Sequence, residues 1–143
     1  LTRRQPAGAC LLVRRSDFER IGGWDERYWI WYEDVDFSRR LLGVGPALYD
    51  PNAVFRHVGG ASTGHWNKPE QHRRLYHGTL QYSAAHFGPT GRLLVGITAM
   101  AVALPRIARY WRSDPSGAAV YRAVLRGGAA LACGRRVPSM ILR

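Results

Sequence analysis

Short apolar runs bounded by turn residues alternate with longer stretches of helical spacing along the 143 residues of the chain. Ala9-Cys10-Leu11-Leu12-Val13 follows Pro6 and Gly8 and ends at Arg14-Arg15, which predicts a buried strand. Ser16 is a capping residue type, and Ser16–Ile21 predicts one or two helical turns stopped by Gly22-Gly23. Glu33 to Gly43 predicts a helix: acids crowd its first turn, Arg39 and Arg40 its last, and Gly43 follows, so both ends match the macrodipole. Asp36 and Arg40 form an i,i+4 pair on it. Ala47–Pro51 and Ala53–Val58 predict two short extended segments, and Gly59–Gly64 a small-residue loop. Pro69 suits a first helical position, and the helix it opens runs to His86-Phe87, where Gly88-Pro89 stops it.

The last third has a different pattern. Leu93 to Pro105 carries no charge for 13 residues, which is short of the roughly 20 a membrane-crossing helix needs, and Pro105 interrupts it. Arg106, Arg109 and Arg112 then recur every third residue beside Ile107, Tyr110 and Trp111, one basic face and one apolar face. A second helix, about Ala118 to Leu131, sets Arg122 and Arg126 on one side. There is no internal repeat.

Composition adds weight to a folded core: 46% hydrophobic and 11% aromatic residues exclude a disordered tail. Charge divides the chain. Residues 1–91 hold 12 basic and 9 acidic groups; residues 92–143 hold nine Arg and the single acid Asp114. The expected organisation is a near-balanced α/β unit over 1–91 and a basic helical appendage over 92–143. Cys10 and Cys133 make neither a disulfide framework nor a zinc pattern, and a reducing compartment is the simpler reading. The first residue is Leu and no signal peptide opens the chain, so a piece of a longer protein is expected.

The strongest chemical cluster is Gly22-Gly23-Trp24-Asp25-Glu26 followed by Trp31-Tyr32-Glu33-Asp34-Val35-Asp36. Five carboxylates fall within twelve residues, beside five aromatics. A helix start accepts one or two acids; five repel one another. Such a cluster can hold a base, hold a cation or receive sugar hydroxyls, with Trp and Tyr faces against sugar rings. The plainer alternative is an acidic first turn beside core aromatics. His57, alone, is more often a satisfied structural side chain than a ligand. His65, His72, His77 and His86 show no metal-ligand spacing and read as surface or packing residues.

Four blocks, in order, resemble the C-terminal half of family-2 glycosyltransferases, most closely the bacterial rhamnosyltransferase-like branch. They are Gly8–Arg15, Gly22–Glu26, Tyr32–Arg40 and His57–Thr63. The resemblance implies the C-terminal part of a GT-A, Rossmann-like fold and an inverting transfer of sugar from a nucleotide diphosphate sugar to a glycan or polyprenyl-linked acceptor, in cell-envelope polysaccharide synthesis. It implies that Asp34 is the general base, taking the acceptor proton as the oxygen attacks the anomeric carbon. Glu33 would orient the acceptor or its loop, and Trp24, Asp25 and Glu26 would line the acceptor side. His57 matches a histidine that helps bind a divalent cation, Mg²⁺ or Mn²⁺, on the donor diphosphate. Gly59, Gly60, Ala61, Ser62 and Thr63 match the loop that closes over that diphosphate, where small residues let backbone N–H groups approach phosphate. Asp34-Val35-Asp36 also spells DxD, but it opens a helix; Asp36 is expected to pair with Arg40 rather than bind metal. The nucleotide-binding half of the family, with its own DxD, is absent from these 143 residues, so the chain alone is expected to be incomplete and inactive.

For residues 92–143 an anionic membrane surface is the expected partner, which places the protein peripherally on the cytoplasmic face of the cell membrane. The uncharged run is too apolar for a DNA-contact helix, and no nucleic acid is expected. A solvated packing helix is the bland alternative. The competing reading of the whole chain is a non-catalytic, membrane-associated interaction module that remains after loss of the donor-binding half.

Overall fold

A computed structural model describes residues 2–3, 8–60 and 64–141. The chain divides into two compact units, residues 1–64 and 65–143. The boundary expected between 91 and 92 therefore falls inside the second unit.

The first unit holds β1 (Thr2–Arg3), α1 (Arg15–Arg20), α2 (Glu33–Leu41) and β2 (Ala47–Leu48). The two strands pair antiparallel, Thr2 with Leu48 and Arg3 with Ala47. This ladder is the whole sheet among the described residues, so the expected α/β layering is not what they form. The predicted strands over 9–13 and 53–58 are irregular backbone. A strand exists only where a neighbouring strand pairs with its N–H and C=O groups, and no described strand lies beside these runs. Leu12, Val54, Phe55 and Val58 stand exposed as a result.

α1 starts one residue before Ser16, with Arg14 in the capping position and no side-chain cap. It ends at Gly22 and Gly23, both at positive φ (77° and 70°), a conformation open to glycine. Behind this turn lies the small core of the unit. Phe37 of α2 is buried, with Trp24 stacked on it at 4.0 Å and Phe18 tilted against it at 5.8 Å. The pair predicted on α2 forms: Arg40 Nε donates to Asp36 Oδ2 at 2.8 Å. Arg40 also donates through Nη1 to the carbonyls of Ile21 and Gly23, at 2.8 and 2.7 Å. One guanidinium thus neutralises the buried Asp36 and ties α2 to the turn after α1.

The second unit is a helical bundle of α3 (Lys68–His86), α4 (Pro89–Tyr110) and α5 (Pro115–Ala132). Asn67 caps α3 by accepting from the Glu70 N–H at 3.0 Å, and Pro69 follows in the first turn. Asp114 caps α5, accepting from the Gly117 N–H at 3.0 Å and the Ser116 hydroxyl at 2.6 Å. The packed interior comprises Leu80, Ala99, Ala103, Tyr121, Val124, Leu131, Val137 and Met140. α4 and α5 meet through glycine: a Cβ on Gly96 would stand 2.5 Å from the Gly128 carbonyl, and one on Gly128 would stand 2.8 Å from that of Gly96. His72 and His77 are packing residues: His72 Nδ1 lies 2.8 Å from the Tyr121 hydroxyl, and His77 is buried.

Pro105 does not interrupt α4, which runs 22 residues through it. The proline sits on the exposed face, where a missing N–H bond costs least, and Arg106 Nη1 donates to the Val102 carbonyl in the same turn. The 13-residue estimate of the apolar segment is corrected accordingly: the helix has the length and composition to cross a membrane, with most of its apolar window unburied.

Candidate functional site

α2 begins from two consecutive aromatics in left-handed backbone, Trp31 (φ 59°) and Tyr32 (φ 72°). Left-handed backbone is costly for a bulky residue, by roughly 1–2 kcal/mol each. The turn brings Glu33 and Asp34 to the first turn of the helix, where the macrodipole favours negative charge. They open onto a hollow of about 600 Å³ lined by Gly8, Ala9, Trp24, Tyr28, Ile30, Trp31, Glu33, Asp34, His57 and Gly60. The hollow lies wholly within the first unit.

Asp34 Oδ2 accepts a hydrogen bond from the Gly8 N–H at 2.8 Å. The described residues give its other oxygen no donor. A Cβ at Gly8 would come within 2.9 Å of Asp34 Cβ and 3.3 Å of Oδ2, so only glycine lets the loop approach this closely. Glu33 is half-buried, and its Oε2 has no hydrogen-bond partner among the described residues. Burial pushes the Glu33 carboxyl above the usual glutamate range; a backbone N–H opposes the shift and the Asp34 charge adds to it. Trp24 stacks one side of its ring on Phe37 and is 45% exposed, so ring surface remains for the hollow.

The sequence-predicted residues separate into three groups. Asp34, Glu33, Trp24, His57 and Gly60 share the hollow. Asp25, Glu26 and Gly59 are not among its lining residues. Asp25 is instead engaged by Arg27, whose Nε lies 3.0 Å from both carboxylate oxygens, and this hydrogen bonding holds the Asp25 carboxyl below its usual range against a smaller opposing effect of burial. Ala61, Ser62 and Thr63 lie outside the described residues. Asp36, the second acid of the DxD triplet, is buried against Arg40. Sequence reasoning missed Gly8 as a partner of the base; Gly8 opened the first motif block but was read only as a turn before a strand. Tyr28 and Trp31 belong to the aromatic density of the sequence without an assigned place, and the sequence does not single out Ile30.

Among the described residues, no three His, Cys, Asp or Glu side chains converge to hold a metal ion. His57 comes to the hollow as a lone imidazole, and these residues by themselves do not fit a cation. The arrangement offers a carboxylate fixed by one oxygen, an unsatisfied carboxyl oxygen beside it, and an aromatic face. Those are the parts needed to seat a polyhydroxylated molecule and take a proton from one of its hydroxyls.

A family model described as the N-terminal domain of galactosyltransferase matches residues 2–60, the segment that builds this hollow. The N-acetylglucosaminyl-diphospho-decaprenol L-rhamnosyltransferase of Mycobacterium tuberculosis is 44% identical over 72 residues, covering 50% of this chain and 23% of that protein. This stretch is similar in sequence to rhamnosyltransferases. Rhamnosyltransferase WbbL of Escherichia coli is 44% identical over 43 residues, 30% of this chain and 16% of WbbL. Beta-1,4-galactosyltransferase 7 of Mus musculus is 32% identical over 73 residues, 46% of this chain and 21% of that enzyme. The chain thus spans less than a quarter of the length of the curated relatives it matches. No solved structure matches the chain.

Proposed function

We propose that these residues supply the acceptor side and the base of an inverting glycosyltransferase that moves a sugar from a nucleotide diphosphate sugar to a glycan or polyprenyl-linked acceptor in cell-envelope polysaccharide synthesis. The observation that carries this reading is the convergence of Asp34, Glu33, Trp24 and His57 on one hollow at the start of α2. Asp34, held through Oδ2 by Gly8, takes the acceptor hydroxyl proton on its other oxygen. The acceptor oxygen forms its bond to the anomeric carbon while the bond from that carbon to the diphosphate oxygen breaks, and the electron pair leaves with the diphosphate. Glu33, with an unsatisfied buried oxygen, accepts a second acceptor hydroxyl and orients it. Trp24 packs on the apolar face of the sugar.

A divalent cation, Mg²⁺ or Mn²⁺, on the donor diphosphate belongs to this reading, and the hollow would contribute His57 alone toward it. A GT-A sheet also belongs to it. The exposed Leu12, Val54, Phe55 and Val58, in runs of strand-like composition, are the side chains such a sheet would bury. The same reading sets the protein peripherally on the cytoplasmic face of the cell membrane. In the whole protein that carries this segment, Asp34→Asn should abolish transfer from a panel of nucleotide sugars while calorimetric donor binding survives. Retained transfer removes Asp34 from the role.

A further inference from the structure

We infer that helix α4 is a monotopic membrane anchor: its outer stripe lies in the plane of an anionic bilayer, and the helix does not cross. This deepens the peripheral placement proposed above and rests on it.

Leu93, Leu94, Ile97, Leu104 and Trp111 are exposed, at 45, 61, 50, 56 and 62%. At 100° per residue they fall on one stripe of α4, with the exposed Ala101 and Ala108 between them. The stripe carries no charge from Thr90 to Trp111. Its length is about 33 Å at 1.5 Å per residue. The opposite face is occupied: Gly96, Ala99 and Ala103 are buried, with Gly96 and Ala99 against Gly128 of α5 and Ala103 in the packed interior. α4 thus has one apolar side turned inward to protein and a second turned to solvent. An amphipathic surface helix ordinarily has only the first.

The charge beside the stripe names the occupant. Arg109 and Arg112 are exposed at the carboxyl end of α4, where Arg106 instead lies over the Tyr121 ring of α5, and Arg135 and Arg136 are exposed after α5. Asp114 is the only acid in residues 92–143, and its carboxylate is turned to the α5 N-terminus and Ser116. An apolar stripe flanked by arginines, with the one acid internally engaged, complements anionic lipid headgroups over acyl chains. Trp111, at the end of the stripe beside the arginines, suits the headgroup level.

Arg126 decides between lying and crossing. A Cβ on Gly128 would meet Ala99 at 3.1 Å and Met100 at 3.2 Å, so this part of α5 runs beside the middle of α4. Arg126, two residues earlier in α5, is exposed at that level. A crossing α4 would hold this guanidinium near the bilayer midplane, a strongly unfavourable position. An α4 lying flat keeps α5 and Arg126 on the aqueous side.

The test is sedimentation of the 143-residue chain with vesicles of phosphatidylglycerol and phosphatidylcholine in a 3:7 ratio, and with phosphatidylcholine alone. We expect binding that requires the anionic lipid, falls with salt, and is removed by alkaline carbonate. Leu94→Glu with Ile97→Glu should weaken it by about tenfold or more while circular dichroism and melting stay unchanged, because both side chains already face water. Arg109→Glu with Arg112→Glu is the second variant; it should reduce the preference for anionic lipid without touching the apolar stripe. Binding that both pairs leave intact overturns the stripe as the anchor while peripheral placement stands. No binding to either vesicle overturns both. Resistance to carbonate extraction overturns the flat orientation. Stripe-dependent dimers without vesicle binding assign the surface to a second copy instead.

Discussion

Gly8→Ala is the most incisive perturbation of the proposed base. The added carbon would stand 2.9 Å from Asp34 Cβ. Carbon atoms prefer about 3.5–4.0 Å, so the two must separate by roughly 0.6–1 Å. The root of a side chain on a helix cannot swing away as a side-chain tip can, so the loop at residue 8 must retreat. The hydrogen bond from the Gly8 N–H to Asp34 Oδ2, now 2.8 Å, is lost with it. A hydrogen bond to a charged group contributes about 1.5–3 kcal/mol. If that bond fixes the carboxylate for proton transfer, kcat/KM falls by about 10- to 150-fold. The assay is steady-state transfer by the whole protein, with donor affinity measured separately by calorimetry. Gly8 acts through Asp34, so donor affinity should not move and the loss should sit in kcat. Gly45→Ala is the control, since nothing lies within 4 Å of the carbon it adds. Activity within twofold of the unmodified protein would refute the reasoning: the Gly8 contact would then be a packing accident with no part in holding the base.

Further outcomes follow from the same geometry. Arg40→Ala removes the ion pair to the buried Asp36 carboxylate and two bonds to the turn after α1; denaturant unfolding should show a loss of about 3–5 kcal/mol. Restoring stability by the double variant Arg40→Met, Asp36→Leu would show that the cost lies in the buried carboxylate left without its guanidinium. Gly96→Val forces α4 and α5 apart at the Gly128 carbonyl, and the second unit should lose about 1–3 kcal/mol or more by thermal melting. Glu33 binds its proton more tightly in the folded state than in the unfolded chain, so its contribution favours folding at acid pH and disappears as pH rises through the folded value. Glu33→Gln should therefore gain stability relative to the unmodified chain as pH rises above about 4, read from unfolding midpoints across a pH series; a constant difference would remove burial as the cause.

Local signals fixed the helices. Acids in the first turn of α2 and arginines at its end, Asn67 and Pro69 at the start of α3, and Gly88-Pro89 where α3 gives way to α4 are cap and stop chemistry, which acts over four or five residues and is therefore readable from them. The pairing of Asp36 with Arg40 is equally local, because i and i+4 share a helix face. The strands were not legible in this way: composition makes Leu11-Leu12-Val13 fit for a sheet, but a strand needs a neighbour, and pairing is a property of distant backbone. Pro105 was misjudged for a related reason, since its cost depends on which face of α4 it occupies and on what satisfies the turn around it.

The sequence by itself determined that Asp34 sits at a helix start among aromatics, in a motif whose order resembles a glycosyltransferase. Only the tertiary structure decided that Gly8, 26 residues away, holds that carboxylate and that His57 faces the same hollow. Only the packing of α4 on α5 showed which apolar side of α4 is spent on the protein interior and which is left outward. The physical reason is common to both: contacts between residues far apart in sequence depend on where the chain returns, and periodicity records a face without recording what covers it.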